Sequence, residues 1–195
     1  MTRRISMRPL ILSSALLMLA ACSTPSPAPQ LTQHDLGGSF PAGATRSPVP
    51  LRSLQVIAQP VVASTAMLYR ERAQPTRRGV YASNRWAAPP SSMVEAALTR
   101  SLGLEGGARC RLQISLGEFI VEVEQGGAAQ AVVSADAQLL RDAQQLVTQR
   151  SFDLRVPLQG SGPATGALAL RTAVEQLAAQ SAAWLDGDAA RVCRS

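Results

Sequence analysis

The first 22 residues set the strongest limit on what this chain can fold into, because they carry the pattern of a segment that is removed during export. Three arginines and no acidic residue in residues 1–8 precede the short apolar run PLILSSALLMLAA at residues 9–21. This is the pattern of a secretory signal peptide, and the run falls short of the roughly 20 apolar residues that a membrane-spanning helix needs. We therefore expect a signal peptide over residues 1–21.

The end of that segment predicts a lipid anchor. Leu19-Ala20-Ala21-Cys22 matches the bacterial lipobox, in which small residues fit the signal peptidase and the cysteine thiol receives a diacylglyceryl group. The alternative is an ordinary signal peptide followed by an incidental cysteine. Acyl chains contribute about 0.8 kcal/mol per buried methylene, so two or three chains on Cys22 make a lasting anchor. Ser23 follows, and in enteric-type sorting a residue other than aspartate there resembles an outer-membrane address.

The segment after the cysteine predicts a tether. Residues 22–50 contain six of the 13 prolines and few bulky apolar residues. Such a composition cannot bury enough surface to offset its ordering entropy, so we expect a disordered tether. His34, the only histidine, lies there. A metal or catalytic role for it is disfavoured, because the chain has no second histidine and a loose tether does not order a site. A folded domain is then expected over 51–187, with a short tail over 188–195.

Hydrophobic periodicity predicts the strands of this domain. Apolar residues alternate over 51–58, in shorter runs around 66–70 and 79–82, and in a meander between residues 110 and 156. The alternation slips by one residue at Gly117-Glu118, which predicts a β-bulge because one inserted residue restores a common buried face.

Two helices complete the predicted fold. Ser92-Met93-Val94-Glu95 has the form of a capping box, and Val94, Leu98 and Leu102 repeat at helical spacing. A second apolar stripe runs from about Gly166 to Asp186. We expect an α+β fold, an antiparallel sheet of about five to six strands with two helices packed on one face. The other face is left to solvent or to a partner.

Cysteine usage fits an exported protein. With Cys22 lipidated, Cys110 and Cys193 remain in an oxidising compartment, where they can pair across 83 residues or stay as free thiols. Pairing would stabilise the fold by about 4.5 kcal/mol in the chain-entropy description.

The sequence contains few patterns that are typical of a catalytic or metal-binding site. CxxC and HExxH spacings are missing, so no catalytic residue, metal site or cofactor is predicted. Glu118, Glu122 and Glu124 could form a paired-carboxylate site, but three glutamates alternating along a strand favour a solvent-exposed face. The net charge of +6 falls to about +3 without the signal peptide, and 4% aromatic residues in an exported chain disfavour nucleic acid.

One basic stretch stands out. Five arginines against one glutamate lie between Arg70 and Arg85. They could meet anionic lipid headgroups or an acidic partner, or form an exposed hairpin that binds nothing.

The stretch LYRERAQPTRRGVYASNRWAAPPSSMVEAALTRSLGL, residues 68–104, carries a resemblance. It resembles the ABC-type transport auxiliary lipoproteins, the PqiC/YmbA-like family associated with MCE (mammalian cell entry) transporters. In that family a tyrosine-ended strand and a second strand lead into a Tyr-x-x-x-Arg-Trp-x-x-Pro pattern at the first helix. The strand with Phe152 and Pro157 and the helix ending at Trp184 fit as well. The matching motif residues are Tyr69, Arg70, Tyr81, Arg85, Trp86, Pro89 and Trp184.

The resemblance implies a non-enzymatic outer-membrane lipoprotein whose periplasmic domain docks onto an MCE-domain protein of an ABC-type lipid transport system. It gives the motif residues a structural or partner-binding role, with Trp86 buried. Two other classes stay open: a lipoprotein that binds cell-wall glycan or assists envelope assembly, and a module that holds lipid itself. A homo-oligomer also stays open.

Overall fold

Strands are more abundant than helices in the described part of the chain, which comprises residues 30–38, 40, 45–142, 144–186 and 191–193 of the computed structural model. The chain divides into a unit of Met1–Gln30 and a unit of Leu31–Ser195. The predicted signal peptide and Cys22 lie outside the described residues, as does most of the predicted tail. The elements of the second unit are β1 (Thr32–His34), β2 (Leu51–Ala58), β3 (Ala66–Glu71), β4 (Gly79–Trp86), α1 (Pro90–Leu102), β5 (Cys110–Val123), β6 (Ala129–Arg141), β7 (Gln145–Pro157) and α2 (Pro163–Leu185).

The strands form one mixed sheet in the order β1-β4-β3-β5-β6-β7, and β2 also pairs with β5. The β5-β6-β7 meander is antiparallel, as predicted. The prediction of a purely antiparallel sheet of five to six strands is wrong, because seven strands pair and β2 and β3 both run parallel to β5. The cause is the 14-residue length of β5. Its first half pairs with β2 and its end with β3, so two successive strands share one edge and run in the same direction.

The predicted β-bulge is confirmed. The register of β5 against β6 shifts between Leu116 and Glu118. The shift returns Phe119 and Val121 to the face that Leu116 occupies, and all three side chains are buried. The bulge therefore keeps one apolar face along the whole of β5.

Helix α1 has the predicted apolar face but not the predicted cap. Val94, Leu98 and Leu102 are at most 1% exposed. The helix begins at Pro90 without a side-chain cap, since proline at the first turn already has a helical φ and lacks the N–H that would need a partner. The capping-box prediction is wrong: the carboxylate of Glu95 accepts a hydrogen bond from the backbone N of Val56, 2.8 Å away in β2.

Helix α2 lies along β6 and β7 and contacts α1. The predicted apolar stripe is confirmed, because Leu170, Val174 and Leu177 are almost completely buried. The helix approaches β5 closely at Gly166, where an added Cβ would lie 2.7 Å from a methyl carbon of Val121. Both helices thus cover the same apolar face of the sheet.

The folded unit begins earlier than predicted. β1 pairs with β4, and Leu36, Phe40 and Val49 join the core at 1–6% exposure. The predicted tether over 22–50 is therefore corrected, since its described residues after Gln30 include a strand and three core side chains. His34 belongs to this packed part, and its Nε2 lies 2.8 Å from the side-chain oxygen of Asn84 in β4.

A disulfide joins the start of β5 to the C-terminal segment. Cys110 and Cys193 are bonded, their Cα atoms are 5.7 Å apart, and both side chains are buried. The bond closes a loop of 83 residues that contains β5, β6, β7 and α2.

Candidate functional site

The face of the sheet that the helices leave uncovered carries a cluster of charged side chains. The arginine–glutamate cluster consists of Arg70, Arg78, Glu118, Glu122 and Arg155. Its members come from β3, from the loop before β4, from the part of β5 that follows the bulge, and from β7. These groups meet because β3 pairs beside the second half of β5, with Arg70 directly opposite Glu122.

Two carboxylates hold the cluster together. Arg78 donates to both oxygens of Glu118 over 2.7 Å, a bidentate geometry that suits a guanidinium. Arg70 lies between the two carboxylates, 3.3 Å from Glu118 and 3.1 Å from Glu122. Arg155 reaches Glu122 from β7 at 3.1 Å.

Glu122 is the centre of this arrangement. The residue is only 7% exposed, so the prediction that the glutamates line a solvent-exposed face is wrong for Glu122. Its second oxygen accepts a hydrogen bond of 2.9 Å from the Gln130 side chain. Glu124 lies beyond the end of β5 and forms an exposed ion pair with Arg72.

The arginines keep both clustered carboxylates ionised. Burial alone would raise the pKa of Glu118, but the hydrogen bonds and charges of Arg78 and Arg70 outweigh it and hold that pKa below its ordinary value. Burial likewise opposes ionisation of Glu122, and Gln130, Arg70 and Arg155 together lower its pKa. The same pairing with Glu118 raises the pKa of Arg78. Carboxylates in this state are poor proton donors at neutral pH, so the cluster suits cross-linking of strands better than acid catalysis.

The cluster changes the meaning of the basic stretch between Arg70 and Arg85. Arg70, Arg72 and Arg78 are all paired with glutamates of β5 or the turn after it. The stretch is therefore largely neutralised by residues about 40 to 50 positions away. Sequence reasoning missed this because the glutamates meet the arginines only through the parallel β3-β5 pairing.

The aromatic motif residues pack at two places. The ring of Trp86 is 1% exposed and meets Phe119 edge-on, with ring centroids 5.2 Å apart. Tyr69 and Tyr81 form a second pair with centroids 5.0 Å apart. The ring of Tyr69 covers Gly79 so closely that an added Cβ there would lie 2.3 Å from a ring carbon. Burial is the main cause that raises the pKa of Tyr81, and the charge of the neighbouring Tyr69 raises it further.

The other motif residues are spread across the sheet and helices. Pro89 is the residue before the first turn of α1. Trp184 in α2 is half-buried and meets Phe152 of β7 edge-on at 6.1 Å. Arg85 is exposed, and no ion pair of its guanidinium occurs among the described residues. The structure thus places most of the motif in packing contacts, with Arg85 at the surface.

Comparison with protein families decides the assignment. The family model of the ABC-type transport auxiliary lipoprotein component matches residues 37–182. The chain belongs to this family. Its members are transport auxiliary components of the lipoprotein class, so this auxiliary lipoprotein is a membrane-anchored component associated with an ABC transport system. A comparison with curated proteins finds no match.

Solved structures share the fold of this auxiliary lipoprotein. A Xanthomonas campestris protein of family DUF330 is 21% identical, with a TM-score of 0.61 over 80% of this chain and 90% of that one. A crystal structure titled only as an uncharacterized protein is 17% identical, with a TM-score of 0.63 over 80% of this chain and 99% of that one. At these identities the likeness concerns the fold.

Surface grooves border the elements of the auxiliary lipoprotein. The most apolar of the grooves described runs between the end of β7 and α2, has a volume of about 280 Å³ and exposes Leu168. No cluster of three or more metal-binding side chains occurs in the described part of the chain. Among those same residues, no helix is long and apolar enough to cross a membrane.

Proposed function

We propose that the protein is an outer-membrane lipoprotein, lipidated at Cys22, that acts as a non-enzymatic auxiliary subunit of an MCE/ABC-type intermembrane lipid transport system. In this role its periplasmic domain docks onto the MCE component. The observation that carries the proposal is the family match over residues 37–182. The lipobox at residues 19–22 supplies the anchor.

Packing of the domain supports docking over lipid carriage. The helix-covered face is filled by side chains that are almost completely buried, including Met67, Ile114 and Leu139. The described surface grooves have volumes of at most about 410 Å³, at the low end of the range of about 300–1,000 Å³ typical of pockets that enclose a drug-sized ligand. A phospholipid is larger still. A surface that binds another protein therefore fits this domain better than a lipid-holding cavity.

The motif residues then have a structural role. Trp86 fixes the end of β4 against β5 through Phe119, and Arg70 ties β3 to β5 through Glu122. Tyr69 and Tyr81 close the β3-β4 hairpin over Gly79. These contacts hold the shape that the docking surface needs.

Membrane fractionation of cells that express the full chain tests the anchor. Labelled palmitate should enter the wild type and not Cys22→Ser, and the wild type should sediment with the outer membrane. A matched Cys193→Ser variant should still take up label. Equal labelling of Cys22→Ser, or sedimentation with the inner membrane, would contradict the proposed address.

Affinity purification of the wild type with the MCE-domain protein encoded in the same genome tests the partner. We expect a complex of the two purified proteins. Loss of either protein should also raise sensitivity of the outer membrane to detergent. If purified MCE protein does not bind at any concentration tested, the proposed docking role is wrong.

A further inference from the structure

The excess positive charge of the domain lies at the end of the sheet opposite the β3-β4 hairpin. The arginine-rich end is defined by Arg46, Arg52, Arg109, Arg111 and Arg141, against Glu105 and Asp142. Arg111 in β5 pairs with Ser53 of β2 and with Leu140 of β6, the residues next to Arg52 and Arg141 in their strands. Among the described residues, Arg46, Arg109 and Arg141 have a carboxylate partner and Arg52 and Arg111 have none. In the arginine–glutamate cluster each arginine has one.

Pairing at this end is incomplete. The carboxylate of Asp142 forms ion pairs with both Arg109, at 2.9 Å, and Arg141, at 3.3 Å. Arg52 is exposed and forms no ion pair within the described residues. Arg111 likewise forms no ion pair within the described residues. Guanidinium groups that lack partners in the free protein can receive carboxylates from another molecule.

Apolar side chains accompany these arginines. Leu104 is 43% exposed and precedes Glu105, whose backbone N donates to the carbonyl of Leu51 at the start of β2. Leu146 is 50% exposed and pairs with Leu140, the neighbour of Arg111. Arginine is enriched in protein–protein contacts, and the two exposed leucines add apolar area beside it.

The place of this end in the fold favours a protein partner over the anchoring membrane. The chain enters the folded unit at β1, which lies level with the second half of β5 because β1 pairs with β4, β4 with β3, and β3 with Val121. Arg85, the partner of Gln33, pairs with Ala66, which is three residues before the partner of Val121, so β1 lies level with about Glu118. Arg111 precedes Glu118 in the same strand by about 23 Å, at about 3.3 Å per residue.

We infer that the arginine-rich end, centred on Arg52 and Arg111, binds an acidic surface of the periplasmic MCE component. This inference rests on the proposed function and names the surface through which it acts. Binding through several exposed arginines should weaken strongly as the salt concentration rises. Removing these charges should mainly lower the association rate.

Binding of purified MCE protein to the mature auxiliary lipoprotein, without its acyl chains and with the disulfide intact, tests the inference. Arg52→Glu and Arg52→Glu/Arg111→Glu should weaken binding, the double variant by about tenfold or more, and raising the salt from 50 to 300 mM should weaken the wild type similarly. Arg77→Glu is the matched control, since Arg77 is also exposed, lies at the other end of the sheet and forms no ion pair among the described residues. Arg52→Lys/Arg111→Lys should retain most of the binding.

The outcomes separate the inference from the proposed function. Equal binding by the wild type and both Arg→Glu variants, with unchanged melting temperatures, overturns the inference and leaves the docking role standing. No binding by the wild type overturns both. If the wild type instead binds vesicles of phosphatidylglycerol and phosphatidylcholine in a salt-dependent way, and not the MCE protein, the surface meets lipid and the inference is wrong. Because Arg52 is exposed, Arg52→Glu remains a valid test even if the double variant fails to fold.

Discussion

Replacement of Trp86 by alanine should destabilise the domain more than any other single change in the motif. The Trp86 ring is 1% exposed and meets the ring of Phe119, itself 1% exposed, edge-on at 5.2 Å. Truncating a buried tryptophan leaves a cavity and costs about 3–5 kcal/mol. The lost aromatic contact accounts for about 0.5–1.5 kcal/mol of that cost. For a domain of this size, the melting temperature should fall by about 6–20 °C.

Urea unfolding of the oxidised protein, followed by far-ultraviolet circular dichroism, measures this loss. Trp86→Phe keeps a ring beside Phe119 and should lose less than Trp86→Ala. Trp184→Ala is the matched control, because Trp184 is only half-buried against Phe152 and should cost less as well. A loss below about 1 kcal/mol in Trp86→Ala, together with lost binding of the MCE protein, would refute the packing argument and assign Trp86 to an interface.

The charge cluster and the disulfide yield two further predictions. The folded-state pKa of Glu122 lies below the ordinary value of 4.5. The stability that its ionisation provides is therefore complete at neutral pH and is lost as the pH falls from about 4.5 through the folded-state pKa. Urea melts should show that Glu122→Gln costs about 1.5–3 kcal/mol at pH 7 and less at pH 3.5, whereas exposed Glu71→Gln changes little. An equal cost at both pH values would contradict the ionic role. Cys110→Ser/Cys193→Ser should lower the free energy of unfolding by up to about 4.5 kcal/mol, and mass spectrometry of the native periplasmic form should find no free thiol at either position.

Elements whose signal is local were predictable from the sequence. The apolar repeats of α1 and α2 and the alternation in β5, β6 and β7 are periodicities within one segment, so they could be read without knowing the neighbours. The bulge at Gly117-Glu118 was predictable for the same reason, because it is a phase change within one strand. The cap of α1 was not, since Glu95 bonds to Val56 in another element.

Pairing between distant segments was not predictable. The parallel pairing of β2 and β3 with β5 depends on β5 being long enough for two partners, which alternation alone does not reveal. Composition also concealed the start of the folded unit. Leu36, Phe40 and Val49 are buried individually among polar residues and prolines, so they form no periodic pattern.

The distribution of charge follows from that same pairing. β5 carries Arg111 in its first half and Glu118 and Glu122 in its second. β3, with Arg70, pairs beside the acidic half, whereas β2, with Arg52, pairs beside the basic half. One neutralised cluster and one arginine-rich end are therefore the result of a single register. A net charge of +6 for the whole chain cannot distinguish these two ends. Three of the five arginines that stand out in the sequence, Arg70, Arg72 and Arg78, are neutralised by glutamates in the fold. A binding surface is accordingly better sought where pairing leaves arginines without carboxylates than where arginines are densest in the sequence.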